Sequence, residues 1–194
     1  MAATTALILA SASPRRRELL QELGLRFEVM TAEVSELDAA TSPHLEPIEL
    51  ARKNAQRKAT ALAEQQPGRW VLGADTVVAL EGRVFGKPVS LDQAREFLEA
   101  LSGRTHEVIT GCALRMPNGE EEVFHEVSRV TFQILSDKII RRYLAEVPVL
   151  DKAGAYALQE HGEWIIGHVE GSRTNVIGLP MELLGRVFQK HGLL

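Results

Sequence analysis

Pro117-Asn118-Gly119 interrupts a stretch rich in β-branched and apolar residues that otherwise runs from 107 to 135. An Asn-Gly pair between such runs is the strongest short-range hairpin signal, because both residues tolerate the positive φ of a tight turn. It predicts two long antiparallel strands, 107–116 and 122–135, and any fold for this chain must accommodate them. Around that pair, strand and helix signals alternate. Residues 6–10 read as a buried strand, and 14–23 as a helix with Leu19, Leu20 and Leu23 on one face and Gly24 as its stop. A short strand at 26–31 and a polar link, 32–46, lead to a strong helix at 47–65, with Pro47 in its first turn and Pro67-Gly68 beyond its end. The β-branched run 70–80 turns at Glu81-Gly82 into 83–85, a second hairpin. Ser90-Leu91-Asp92-Gln93 is a capping-box pattern opening a helix to about Leu101. A helix at 136–145 closed by Pro148, a strand near 164–169 and a last helix opening at Pro180 complete the reading. There is no internal repeat. The pattern predicts an α/β fold: one elongated, mixed β-sheet flanked by helices.

A chain of 194 residues fits one domain, 1–194, or two small lobes sharing a core. Its net charge of −4 argues against stable nucleic-acid binding, which needs a broad basic surface, so any anion site must be local. The single cysteine, Cys112, excludes an internal disulfide and a cysteine-rich zinc cluster, and its apolar surroundings mark it as buried filler. No run approaches the ~20 apolar residues of a membrane span. Residues 6–10 lack a basic n-region and are too short for a signal core, so the expected location is cytoplasmic.

Four stretches carry candidate chemistry. In Ser11-Ala12-Ser13-Pro14-Arg15-Arg16-Arg17, serine and proline mark a helix start whose free amides and dipole favour an anion. Arg15 and Arg16 add forked donors that match phosphate oxygens, yet cations at this end of a helix are repelled by its dipole unless an anion is present. Solvated arginines on a capped helix are the alternative. In Gly73-Ala74-Asp75-Thr76, an acid stands inside an apolar strand, where it must hold a cation, a proton or a hydrogen-bond donor. Metal ligand, general base and a carboxylate paired with a backbone amide all fit. Lys87, between Gly86 and Pro88 just past the hairpin, could share a pocket with Asp75 if the hairpin folds back. His106, at the entrance of a strand, reads as a structural hydrogen-bonder. Asp151-Lys152-Ala153-Gly154 leads to Gln159, whose amide could read a base edge or simply end a polar strand. The usual glycine-rich phosphate loops, the zinc-protease helix and the nucleophile elbow are all absent from the sequence.

Taken together, SASPRRRELL, Glu36 in AEVSEL, GADTVV, GKP, LSGRTHEVITG, DKAGAYALQ and the run from Asn175 to Pro180 resemble the Maf family of nucleoside triphosphate pyrophosphatases. The stretches span most of the chain in the family's order. The resemblance implies an inosine-triphosphatase-like fold with two lobes around a central cleft. It also implies hydrolysis of a nucleoside triphosphate between its α and β phosphates, releasing pyrophosphate with the help of Mg2+ or Mn2+, a housecleaning of nucleotide pools. Position by position, it makes Ser11, Arg15 and Arg16 phosphate-loop residues and Arg17 a surface residue. Lys58 matches the lysine of the second helix, with Lys53 a competing register, while Asp75 matches the general base and Lys87 the lysine beside it. Glu36, with Asp75, matches a metal ligand. Arg15, Thr76 and Gln159 are similar to the branch acting on dTTP and UTP. The branch acting on 7-methyl-GTP carries an aromatic residue, a glutamine and an acid at those places. A homodimer, a preference for another nucleotide and a role as a nucleotide-sensing inhibitor of septum formation are further implications of the same resemblance.

Overall fold

The computed structural model of the protein describes residues 7–194. Ala6, where the first strand is expected to begin, lies outside the described residues; from Leu7 to Ala10 the strand is β1. The Ser13 hydroxyl then accepts the Arg16 amide and Pro14 takes the first helical position of α1 (Pro14–Gln21). β2 (Phe27–Met30), α2 (Pro47–Gln65), β3 (Val71–Leu80), β4 (Arg83–Phe85) and α3 (Leu91–Leu101) follow. The central hairpin is β5 (Thr105–Arg115) and β6 (Glu121–Phe132). α4 (Asp137–Glu146), β7 (Ile166–Glu170), α5 (Arg173–Ile177) and α6 (Met181–Lys190) complete the chain. None of the helices described is long and apolar enough to cross a membrane.

Three local differences from the sequence reading have physical causes. β6 ends three residues early, because the Gln133 amide donates to the Ile165 carbonyl and the Leu135 amide to the Ser102 hydroxyl, which turn the chain out of the ladder. α5 is too short for periodicity to reveal it; its only local signal is Ser172, whose side chain caps the Asn175 amide. The segment before Gln159 is no strand end but a 3-10 turn at Ala153–Ala155, with Gly154 at φ +69° and the Gly154 amide donating to the Gly86 carbonyl.

All seven strands form one mixed sheet in the order β2-β1-β3-β5-β6-β7, with β4 also on β3. β1 is parallel to β2 and β3, and the remaining pairs are antiparallel. β5 runs along one edge of β3 from residue 71 to 79. The other edge is divided: β1 meets Val71 to Gly73, and β4 meets Val78 to Leu80. Residues 74–77 have no strand partner on that side, and the sheet opens there.

Alternation sends odd-numbered residues of β3 to one face and even-numbered residues to the other. The odd face packs under α2, whose Ala51, Ala55 and Ala59 are fully buried against Val71, Val77, Ile109 and Ala113. This approach is closer than a side chain permits. A Cβ on Gly73 would stand 2.2 Å from the Ala55 carbonyl oxygen, and one on Gly111 2.5 Å from the Ala51 carbonyl carbon. The even face carries two separate apolar clusters. Leu72, Ala74, Cys112 and Leu114 pack with α1 and α6; Val78, Leu80, Val108 and Val130 pack with α3 and α4. These clusters are the two lobes, and a cleft lies between them. Cys112 is the expected core filler, its thiol pushed up to about 12 by burial.

His106 is buried beside Phe132 and Tyr156, with ring centroids 4.9 and 5.4 Å away, and its Nε2 is 2.8 Å from the Tyr156 hydroxyl. Burial pushes its pKa down to about 4. Between that value and the ~6.5 of an unfolded chain, the unfolded state binds the extra proton, so acidification destabilises the fold.

Two outcomes are expected. Gly73→Ala should lower the urea midpoint by the equivalent of at least ~1–3 kcal/mol, since the clash is with backbone rather than a movable side chain. Lowering pH from 7 to 5 should remove on the order of 2 kcal/mol of stability through His106. In His106→Gln, denaturant titrations at the two pH values should lack that component.

Candidate active site

The cleft opens at the unpaired stretch of β3 and encloses about 370 Å³. Ser11, Arg15, Arg16, Glu36, Lys58, Asp75, Thr76, Lys87 and Gln159 all line it, so every residue expected at the site comes to one cavity. Arg17 is exposed on α1, and Lys53 is exposed on α2 beside a separate surface groove. Strand alternation splits the lining into two groups: Asp75 points toward α2, and Thr76 toward the lobes.

On the α2 side, the Lys58 ammonium bridges two carboxylates, 2.7 Å from Asp75 Oδ1 and 2.7 Å from Glu36 Oε1. Asp75 is 8% exposed, so this pairing offsets the desolvation of its charge. Partial burial disfavours the Glu36 carboxylate, but the hydrogen bond and charge of Lys58 outweigh it, and the carboxyl is held below its ordinary range. Lys87 Nζ lies 3.9 Å from Glu36 Oε2 and is more than half exposed, a cation at the mouth. The hairpin does fold back, and β4 brings Lys87 to Asp75's pocket through Glu36.

On the opposite side, Arg16 is anchored by three bonds. Its Nε donates to the Gly178 carbonyl at 2.8 Å, one terminal nitrogen to Ser11 Oγ at 3.2 Å and the other to Thr76 Oγ1 at 3.0 Å. Burial pushes its pKa down, while the nearby Asp75 charge acts in the opposite sense. The guanidinium therefore has local compensation for its place at the α1 N-terminus, and it lines the cleft with donors beyond the three engaged. Thr76 passes the bond on. Its hydroxyl is 2.9 Å from that of Thr110, which donates to the Asn175 carbonyl at 3.0 Å, leaving Thr76 as the donor to Thr110.

The rim is a charge cluster that sequence reading only half saw. Arg15 lies 3.5 Å from Asp151 and 4.0 Å from Glu160. Lys152, only 3% exposed, donates to the Pro148 carbonyl at 2.6 Å and to Asp151 at 2.8 Å, and lies 3.3 Å from Glu160. Behind this loop the Tyr143 hydroxyl donates to the Ala157 carbonyl and accepts its amide. Gln159 stands exposed at the rim. Sequence reasoning missed Asn54 and Thr110 as contributors, and quoted Lys152 in a candidate stretch without giving it a role. Asn54 lies one helical turn before Lys58 on the same side of α2, but an amide there carries no local sign of its burial.

Glu36 and Asp75 are the carboxylates able to hold a divalent cation. No group of three His, Cys, Asp or Glu side chains that could hold one occurs among the described residues. Two carboxylates beside a cation-lined cleft would suit a Mg2+ ion that takes its other ligands from substrate and water.

Comparison with known proteins places this architecture. Residues 6–191 match the family described as Maf-like protein. A "dTTP/UTP pyrophosphatase" of Akkermansia muciniphila is 49% identical over 174 residues, covering 90% of each chain. Proteins of the same name from Nitratidesulfovibrio vulgaris and Myxococcus xanthus are 42% and 44% identical, across 95% and 97% of this chain and 87% and 94% of theirs. Among solved structures, a HAM1 protein from Coxiella burnetii superposes with a TM-score of 0.51 at 17% identity, covering 95% of this chain and 98% of that one, which shows a shared fold. The family match runs from β1 through the whole of α6, and on that extent this chain belongs to the Maf family.

Proposed function

We propose that the protein is a nucleoside triphosphate pyrophosphatase that hydrolyses the α–β phosphate bond of dTTP and UTP. The observation that carries the reading is the convergence of three cations, Arg16, Lys58 and Lys87, with two carboxylates on one cleft. A triphosphate needs cations, and hydrolysis needs a carboxylate beside them. The names of the relatives supply the substrate class.

In this reading the triphosphate lies along Ser11, Arg16, Lys58 and Lys87. The base extends between the apolar wall of Val78, Val108 and Tyr156 and the amide of Gln159. An amide supplies donor and acceptor together, which suits the edge of a pyrimidine. Asp75 orients the attacking water and takes its proton as the water oxygen bonds to the α-phosphorus. The bond from that phosphorus to the bridging oxygen breaks, and pyrophosphate departs. Arg16, Lys58 and Lys87 neutralise the charge that grows on the leaving group, the main contribution a protein makes to phosphoryl chemistry. A divalent ion held by Glu36 and Asp75 would supply Lewis acidity and lower the pKa of water.

Asp75→Asn keeps the shape of the side chain and removes the base. Turnover is expected to fall by ~10²–10⁴-fold, with nucleotide binding by calorimetry retained; undiminished turnover would overturn the role of Asp75. In a panel of nucleoside triphosphates with Mg2+, Mn2+ or no added metal, pyrophosphate release should be fastest with dTTP and UTP and should need the metal. A flat profile or a purine preference would overturn the pyrimidine assignment.

A further inference from the structure

Glu36 lies in the link between β2 and α2, a segment without helix or strand at that position, and its side chain is 43% exposed. No helix or strand ladder on such a link fixes the distance of this acid from Asp75. α2 carries two residues that join them: Lys58 bridges the two carboxylates directly, and Asn54 ties Asp75 to Leu37, the residue next to Glu36 in the link. The Asn54 Oδ1 accepts the Leu37 amide at 2.8 Å, and its Nδ2 donates to the Leu37 carbonyl at 2.9 Å and to Asp75 Oδ2 at 3.2 Å.

An amide is the one side-chain group suited to this position. It must accept from and donate to the same peptide unit, and it must keep a donor for a carboxylate. A buried amide so fully engaged is costly to disturb; Asn54 is 3% exposed and does not line the cleft. Asp75 Oδ2 is thereby held from one side by Asn54, while Oδ1 meets Lys58, one helical turn further along α2.

We propose that Asn54 is the positioning residue of the site: it ties the Glu36-bearing link to the Asp75 carboxylate and so fixes the Glu36–Lys58–Asp75 group in one geometry. The proposal rests on the function inferred above. It assigns Asn54 no contact with the nucleotide. Its loss therefore acts on the chemical step, and supporting residues of this kind typically change activity by ~10–100-fold.

Two variants separate the bonds. Asn54→Ala removes all three. Asn54→Asp keeps an acceptor for the Leu37 amide, loses the donors to Asp75 and to the Leu37 carbonyl, and sets a carboxylate beside a carboxylate. With UTP and Mg2+, both variants are expected to lose roughly 10–100-fold in kcat, with KM within about twofold of the parent. Hydrogen exchange at the Leu37 amide should accelerate in Asn54→Ala and stay close to the parent in Asn54→Asp. Exchange of core amides in β3 and β5 should be unaltered in Asn54→Asp, which separates positioning from general loss of structure. A kcat near the parent in both variants, a rise in KM at constant kcat, or unchanged Leu37 exchange in Asn54→Ala would each overturn the proposal. A parent protein inactive on every triphosphate would instead overturn the function on which it rests, and the Leu37 exchange would still decide whether Asn54 holds the link.

Discussion

Where β1 ends at Ala10 and β4 has not begun, the edge of β3 from 74 to 77 faces no neighbouring strand. A sheet interrupted on one edge of an interior strand leaves room for a cleft in the middle of the fold, walled by the neighbouring elements. The other edge of β3 is fully paired to β5, so the gap costs little order in the strand itself. Parallel β1 delivers its C-terminal end, and with it the start of α1, to the same opening. A crevice beyond the carboxyl end of a parallel strand, beside a change in sheet topology, is where open α/β sheets bind ligands.

The second constraint is the intimacy of α2 with the sheet. Gly73 and Gly111 remove the side chains that would hold the helix away, and the alanine row on α2 fills the remaining space. That contact sets the height and rotation of the helix, and it decides which of its polar residues reach Asp75. Lys58 and Asn54 lie on the side of the alanine row nearest the cleft; Lys53 lies on the outer surface. Ion pairs of low exposure are strongly interdependent, because removing one member strands the charge of the other. Lys58 and Asp75 are therefore poorly described one at a time, and the more exposed Glu36 shares the same ammonium.

Much of this was readable from residue order. The Asn-Gly hairpin, the Ser-Pro helix start and the capping box at Ser90 each specify local geometry, and each appears where its signal stands. Asp75 was conspicuous because a carboxylate in an apolar strand demands a partner. Asn54 was not, because an amide within a helix rich in alanine and basic residues looks like one more solvated position. Its burial comes from the link folding over α2, a long-range contact with no local trace. Thr110 escaped for the same reason: a threonine suits any strand, and only the register that sets it opposite Thr76 joins it to Arg16. The choice of Lys58 over Lys53 was finally a matter of helical phase against the two glycines.

Asp75 and Thr76 are adjacent in sequence yet serve opposite faces of the sheet, and this couples the two halves of the site through a single peptide unit. A rotation of β3 itself would move both residues together. The frame of reading is equally unforgiving. One residue added or removed between Gly73 and Asp75 would carry the carboxylate to the arginine's side and the hydroxyl to the lysine's. A strand buried on both faces admits no such change of spacing, and β3 is thereby both the frame of the cleft and its most rigidly counted element.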